Sequence, residues 1–397
     1  MQLNNVPVSS FAKEFNFEDI RPYYNHEARE VMLRLIENPV FFKLINYLWP
    51  QMTMQEVQSR ANKVFSNMDF QLQFMHEAIR TIVANSATNL THTGFENLDK
   101  NDSYLFIANH RDILLDSAIL QILLVENNFS TSEITFGNNL MDNGFITDFG
   151  KLNRMFTVLR EGTNKELYEI SRKLSAYIRH TIVDKKTSVW IAQRNGRTKD
   201  GFDTTQTGLL KMLNISGSGS FEENYASLKI VPLTISYEYE PCDVLKAKEL
   251  YLSSLHTKYK KTQDEDLNSI ITGIKQNKGR IHMAVGTPIA NELKSDIGIS
   301  NDNEKTKRLA SLIDRQIYMN YKLWPTNYIA ADLLNNTNTY KDNYSVNDKD
   351  NFINYMSKSL SNVEGDLDSL KQLFLKIYAN PVYSRAQITN DILLKNN

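Results

Sequence analysis

Ser103-Tyr104-Leu105-Phe106-Ile107-Ala108 is an apolar run that leads into Asn109-His110-Arg111-Asp112, and a helical pattern from about Ile113 to Glu126 follows. Such a run is the mark of a strand buried on both faces, and a strand that passes straight into a helix is the repeating unit of an α/β domain. Asp112 is well placed to cap the helix. Further strands are expected at Glu133–Phe136, Met155–Leu159, Ser188–Ala192, Lys229–Tyr237 and Arg280–Val285, with helices at Asn164–Thr181, Val244–Tyr259 and Glu304–Met319. Before this alternating region, His26–Leu48 and Met54–Ala84 carry apolar residues at three- and four-residue spacing and read as helices separated by Pro50. After it, Asn335–Asn351 is rich in Asn, Asp, Thr and Tyr without an apolar period and reads as a linker; a helical segment follows over Phe352–Tyr378. The expected organisation is a helical region over residues 1–90, an α/β domain over 91–300 and a helical region over 301–397.

Composition narrows the classes. With 41% hydrophobic and 23% charged residues the chain of 397 residues is an ordinary globular protein, and its net charge of −1 does not mark a polyanion binder. Charge is uneven, however: residues 151–200 hold 12 Lys/Arg against 5 Asp/Glu, a local excess that can attract phosphate or an anionic surface. No nucleic-acid motif accompanies it, so no nucleic-acid partner is expected. The single cysteine, Cys242, excludes an internal disulfide framework and a cysteine-based zinc cluster, and fits a reducing, cytoplasmic setting. No apolar stretch is long enough to span a membrane. Val31–Pro50, interrupted by Arg34, Glu37, Pro39 and Lys43, suits either a core helix or an amphipathic helix in a membrane interface.

Four clusters carry chemistry. In the first, His110 follows a buried strand, where α/β active sites sit. Asp116 or Asp112 can fix its tautomer and leave one ring nitrogen as a base. The second, Asn153-Arg154-Met-Phe-Thr-Val-Leu159-Arg160, is a strand between two arginines suited to bidentate phosphate contact. The third, Gln193-Arg194-Asn195-Gly196-Arg197-Thr198-Lys199, combines basic residues with a glycine that permits close backbone approach. It lacks the spacing of a P-loop. The fourth, Val231-Pro232-Leu233-Thr234-Ile235-Ser236-Tyr237-Glu238, reads as a core strand in which Tyr237 and Glu238 have no evident role.

In this order the four clusters resemble the glycerophosphate acyltransferase family, which acylates glycerol-3-phosphate and lysophosphatidic acid. The resemblance covers roughly residues 90–290. It implies a central mixed sheet flanked by helices, with helical additions at both ends. It also implies His110 as general base, Asp116 as its orienting carboxylate with Asp112 as competitor, and Arg160, Arg197 and Gly196 at the acceptor's phosphate. Arg154, Arg194 and Lys199 are secondary anion contacts, and Pro232 belongs to an acyl-pocket strand. His110, Arg160 and Arg197 are expected to converge on one cleft. The implied partners are an acyl-CoA or acyl carrier protein donor, a lysophospholipid or glycerol-3-phosphate acceptor, and the inner face of the cell membrane, met peripherally. No metal or organic cofactor is implied. Two departures stand out: five residues rather than four separate His110 from Asp116, and Asn195 replaces the family's glutamate. A lyso-aminolipid acceptor, or a non-catalytic lipid-binding protein that kept the fold, are the alternative readings. No Gly-x-Ser-x-Gly elbow is present, and Cys242 falls in the loop after the fourth cluster, so direct transfer without an acyl-enzyme is expected.

Overall fold

A computed structural model describes residues 14–138, 144–159, 162–255, 264–294 and 301–396. Seven strands, β1 (Asn89–Thr93), β2 (Leu105–Ala108), β3 (Glu133–Gly137), β4 (Met155–Val158), β5 (Val189–Ala192), β6 (Ile230–Tyr237) and β7 (Arg280–Val285), form one sheet of order β1-β7-β6-β2-β5-β3-β4. β7 runs antiparallel to β6 and parallel to β1; the other pairs are parallel. The fold is therefore α/β with a mixed sheet flanked by helices, as expected. β2 lies between β5 and β6, fully buried, and its period-two alternation divides the core. Phe106 and Ala108 face a cluster shared with the N-terminal helices, whereas Leu105 and Ile107 face a cluster shared with helices Asn164–Arg179 and Asp302–Asn320. Pro232, which cannot donate to a ladder, pairs with Ile107 of β2, and the β6–β7 register begins one residue later at Leu233.

Four expected elements differ. Met54–Ala84 is interrupted: one helix ends at Ala61, and the next begins at Asn67, capped by Ser66, and runs through the π-helical turn Gln71–Met75 into His76–Ser86. Phe352–Tyr378 is likewise divided, because helix Val346–Leu360 ends before helix Leu367–Asn396 begins. His26–Leu48 is not one helix but two, Ala28–Glu37 and Pro39–Leu48. Asn38 takes an extended backbone, its side chain accepts from Val40 N–H at 2.9 Å, and Pro39 begins the second helix where a missing donor costs nothing. The polar stretch 335–351 is not a free linker: Asp332 accepts from Thr337 Oγ1 (2.9 Å), Tyr340 N–H (3.0 Å) and Tyr344 O–H (2.8 Å), and a helix begins at Val346, capped by Ser345. The helices Pro325–Asn335, Val346–Leu360 and Leu367–Asn396 share a third cluster around Phe352, Phe374 and Tyr378. That cluster braces the sheet's end, because Tyr378 O–H donates to Asp243 at 2.6 Å and accepts from Glu240 N–H at 3.0 Å.

Helix Asp302–Asn320 is tied to the loop after β5 by Asp314, which accepts from Thr205 N–H at 2.8 Å and from Thr205 Oγ1 at 2.5 Å. Burial pushes the Asp314 carboxyl up to about 6. A carboxyl whose pKa is raised on folding favours the native state below the unfolded pKa, and this contribution is lost as pH rises through about 6. Asp314→Asn, able to accept both bonds without the charge, is expected to raise stability at pH 8 by on the order of 2 kcal/mol and to leave it unchanged at pH 3. Urea unfolding at the two pH values checks this; equal effects at both would show that ionisation of Asp314 is immaterial.

Candidate active site

His110 lies two residues beyond β2, and Gln193 follows β5 directly, so two expected site loops leave the same edge of the sheet. They are stitched together: Gln193 N–H donates to Ala108 O at 2.7 Å and Thr198 N–H to His110 O at 2.8 Å. His110 Nδ1 is 2.9 Å from Asp116 Oδ2. The same oxygen accepts from the backbone N–H groups of Arg111 (2.5 Å) and Asp112 (2.9 Å), and Asp116 Oδ1 accepts from Tyr237 O–H at 2.8 Å. Four donors therefore fix a carboxylate that is 1% exposed, and this geometry places the ring proton on Nδ1 and leaves Nε2 free to accept. Five residues separate His110 from Asp116, and helix Leu115–Glu126 starts just early enough to return Asp116 to the imidazole.

Asp112 does not compete for the imidazole. Its Oδ1 caps the helix, accepting from Leu114 N–H (2.9 Å) and Leu115 N–H (2.8 Å), while Oδ2 is buried without a partner among the described residues. Burial and the neighbouring Asp116 charge push the Asp112 carboxyl up. Tyr237, silent in the sequence, is a donor to the dyad; burial first and Asp116 second hold its hydroxyl protonated. The alternation of β6 contained the signal, since a tyrosine at the C-terminal end of a core strand has its hydroxyl near the site edge.

Arg111 was also missed. It is fully buried: its guanidinium donates to Asp203 (2.6 Å), Glu240 (3.2 Å) and Gly201 O (3.1 Å), and lies 5.1 Å over the Tyr321 ring. Lys246 pairs with Glu240 and donates to Arg111 O at 2.7 Å. Asp203 further accepts from Asn109 Nδ2 (3.1 Å) and Thr198 Oγ1 (2.7 Å), so one buried ion network holds both site loops.

Arg197, 6% exposed, has a buried Nη1 with no hydrogen-bond partner among the described residues. Gly196 adopts φ +73° and faces open space where a side chain would start, which permits close backbone approach. Arg194 has only a long contact, 3.5 Å, to Phe202 O. Asn195 is exposed, its N–H donating to Gln206 at 2.9 Å, and Lys199 pairs with Glu249. Arg160 lies outside the described residues, so its expected convergence with His110 and Arg197 is not addressed. Arg154 is not brought to this edge: it precedes β4 and sits at the opposite end of the sheet, because β4 runs parallel to β2 and β5. Pro232 is in register with Ile107, inside the sheet.

The ring of Trp190 meets His110 edge-on at 5.6 Å, and its Nε1 is buried without a partner. On this face lies a cavity of about 880 Å³ between the two N-terminal helices and helices His76–Ser86, Gly144–Leu152 and Asp264–Lys275. Phe41, Ala78, Ile82, Phe136 and Phe149 line it, and its wall includes Leu114, from the turn between His110 and Asp116. Val40, Leu44, Tyr47 and Leu267 on its lining helices are exposed. Cys242 is buried, with its thiol pushed up by burial and donating to Ser269 O at 3.2 Å. Among the described residues no group of three metal-ligating side chains occurs and no helix is long and apolar enough to cross a membrane.

No family model and no curated protein matches the chain. The crystal structure of the 1-acyl-sn-glycerophosphate acyltransferase from Thermotoga maritima is similar at 13% identity and a TM-score of 0.38, over 72% of this chain and 95% of that one.

Proposed function

We propose that this chain is an acyltransferase that moves a fatty acyl group from acyl-CoA or acyl carrier protein to the hydroxyl of lysophosphatidic acid or glycerol-3-phosphate. The observation that carries this reading is a fixed His110–Asp116 pair whose connecting turn contributes Leu114 to a large apolar cavity. Its volume falls within the usual range for ligand pockets, and its lining suits a hydrocarbon chain. His110 Nε2 removes the acceptor's hydroxyl proton, and the oxygen attacks the thioester carbonyl to give a tetrahedral oxyanion. Collapse forms the ester and breaks the C–S bond, and the imidazolium returns the proton to the departing thiolate. Asp116 keeps the ring oriented and balances its transient charge. Arg197, with its unused buried nitrogen, holds the acceptor's phosphate, and Gly196 allows the backbone to approach it.

The cavity makes chain length a test. Ala78 lines the cavity, and Ala78→Phe takes up part of its volume. It is expected to lower kcat/KM for long acyl donors at least tenfold while sparing short ones, roughly the discrimination that a changed apolar pocket supplies. A uniform loss across chain lengths would separate the cavity from the acyl chain.

Contact with the inner membrane face is assigned to the Pro39–Leu48 and Asp264–Lys275 helices. Val40, Leu44, Tyr47, Leu267 and Ile271 are exposed there, accompanied by Lys43 and Lys275. Apolar side chains flanked by lysines suit an anionic interface. Val40→Asp with Leu267→Asp is expected to weaken cosedimentation with phosphatidylglycerol vesicles about tenfold or more, since each removes buried apolar area and adds repulsion. Unchanged sedimentation would place the contact elsewhere.

A further inference from the structure

At the edge of the sheet opposite His110, the N-terminal ends of β3, β4 and β5 border a second cavity, of about 280 Å³. Arg154 enters it from a left-handed backbone, φ +60°, an unusual conformation for a residue with a side chain and one that recurs at binding sites. Its Nη1 donates to Thr131 O at 2.9 Å, and its other guanidinium nitrogens have no partner among the described residues. Burial lowers the Arg154 pKa, and the Glu133 charge opposes it only in part. Glu133, which lines the cavity, is engaged by Lys185, also on its wall, and by Tyr177 O–H at 2.6 Å. Asn67, 4% exposed, lines the same cavity with an Oδ1 that has no hydrogen-bond partner among the described residues.

A third wall is His180, on the π-helical turn His180–Asp184, a geometry often found at functional sites. Its Nδ1 is 2.7 Å from Asp184 Oδ2, which turns Nε2 away from the carboxylate, and its ring stacks on Phe17 at 5.9 Å. Arg21 completes the rim, paired with Glu18 and Glu27. The cavity thus combines a guanidinium with unused donors, an imidazole, the Lys185–Glu133 ion pair and a buried acceptor in need of a donor.

We propose that this cavity binds a phosphate group, either free or as the monoester of a small polyol, with Arg154 on the phosphate oxygens and Asn67 Oδ1 accepting from a hydroxyl or a protonated phosphate oxygen. A planar guanidinium fork matches phosphate, and the volume is too small for a nucleotide or a thioester carrier. The site is separate from the proposed acyl-transfer centre and does not depend on it.

Calorimetric titration of the full chain with inorganic phosphate and with glycerol 3-phosphate tests the proposal and separates the two sources of the group. Arg154→Gly removes the guanidinium while relieving the left-handed backbone, so it preserves the fold; His180→Gln tests the imidazole wall and is expected to weaken binding. Saturable binding that persists in Arg197→Gln, which removes the acceptor's phosphate contact, and weakens at least tenfold when Arg154→Gly is added to it, with acyl transfer unchanged in Arg154→Gly alone, is the expected result. No saturable binding to the wild type at millimolar ligand, or binding abolished by Arg197→Gln and untouched by Arg154→Gly, would overturn it.

Discussion

Asp116→Asn is expected to lower acyl transfer by roughly 10²–10⁴-fold, the range that a positioned acid–base group supplies, without unfolding the protein. The side-chain oxygen must still face three donors, the Nδ1–H of His110 and the N–H groups of Arg111 and Asp112. The amide NH₂ is then directed at the Tyr237 hydroxyl, which can rotate to accept. Shape and tautomer therefore survive, whereas the negative charge beside the imidazolium is gone. The measurement is kcat for both proteins with the melting temperature of each. Activity within threefold of wild type at an unchanged melting temperature would remove Asp116 from the chemistry.

Arg111→Met is expected to cost roughly 3–5 kcal/mol of stability, the usual penalty for removing one partner of a buried ion pair. Asp203 would retain only the neutral donors Asn109 and Thr198, and Glu240 would retain Lys246. All of these residues are nearly inaccessible to water, so the stranded charge cannot be rehydrated cheaply. Because the same network joins the loop after β2 to the loop after β5, misplacement of His110 relative to Arg197 should accompany the loss. Urea unfolding at pH 7 gives the number; a change below about 1 kcal/mol, the level of an exposed pair, would mean that the network is not a brace.

How far the chain could be read from its sequence followed burial. β2, β5, β6 and β7 lie inside the sheet or carry apolar runs, and their positions were legible to within two residues. β1, Asn89-Leu-Thr-His-Thr93, was not, because an edge strand has one unpaired side and no apolar run to announce it. The break at Asn38-Pro39 was written in a capping residue followed by proline, a local signal that the continuous apolar period masked.

At the site, the His110 loop and the glycine–arginine loop were legible because both follow buried strands. The choice between Asp112 and Asp116 was not, since it depends on where a turn ends and a helix begins. Arg154 illustrates the opposite failure. An arginine beside a strand reads as an anion ligand from either end, and only the parallel direction of β4 puts it at the far edge. Arg111 and Tyr237 act through partners distant in sequence, Glu240 and Asp116, which local patterns cannot pair.

The central claim is best tested by incubating wild type and His110→Ala with labelled acyl-CoA or acyl carrier protein and a panel of lysophosphatidic acid, glycerol-3-phosphate and lyso-aminolipids. The expected result is one labelled ester formed per thiol released by wild type, with lysophosphatidic acid or glycerol-3-phosphate as acceptor, and a loss of at least about 100-fold in a folded His110→Ala. Equal transfer by the two proteins, or saturable lipid binding by both with no transfer from any donor, would contradict it.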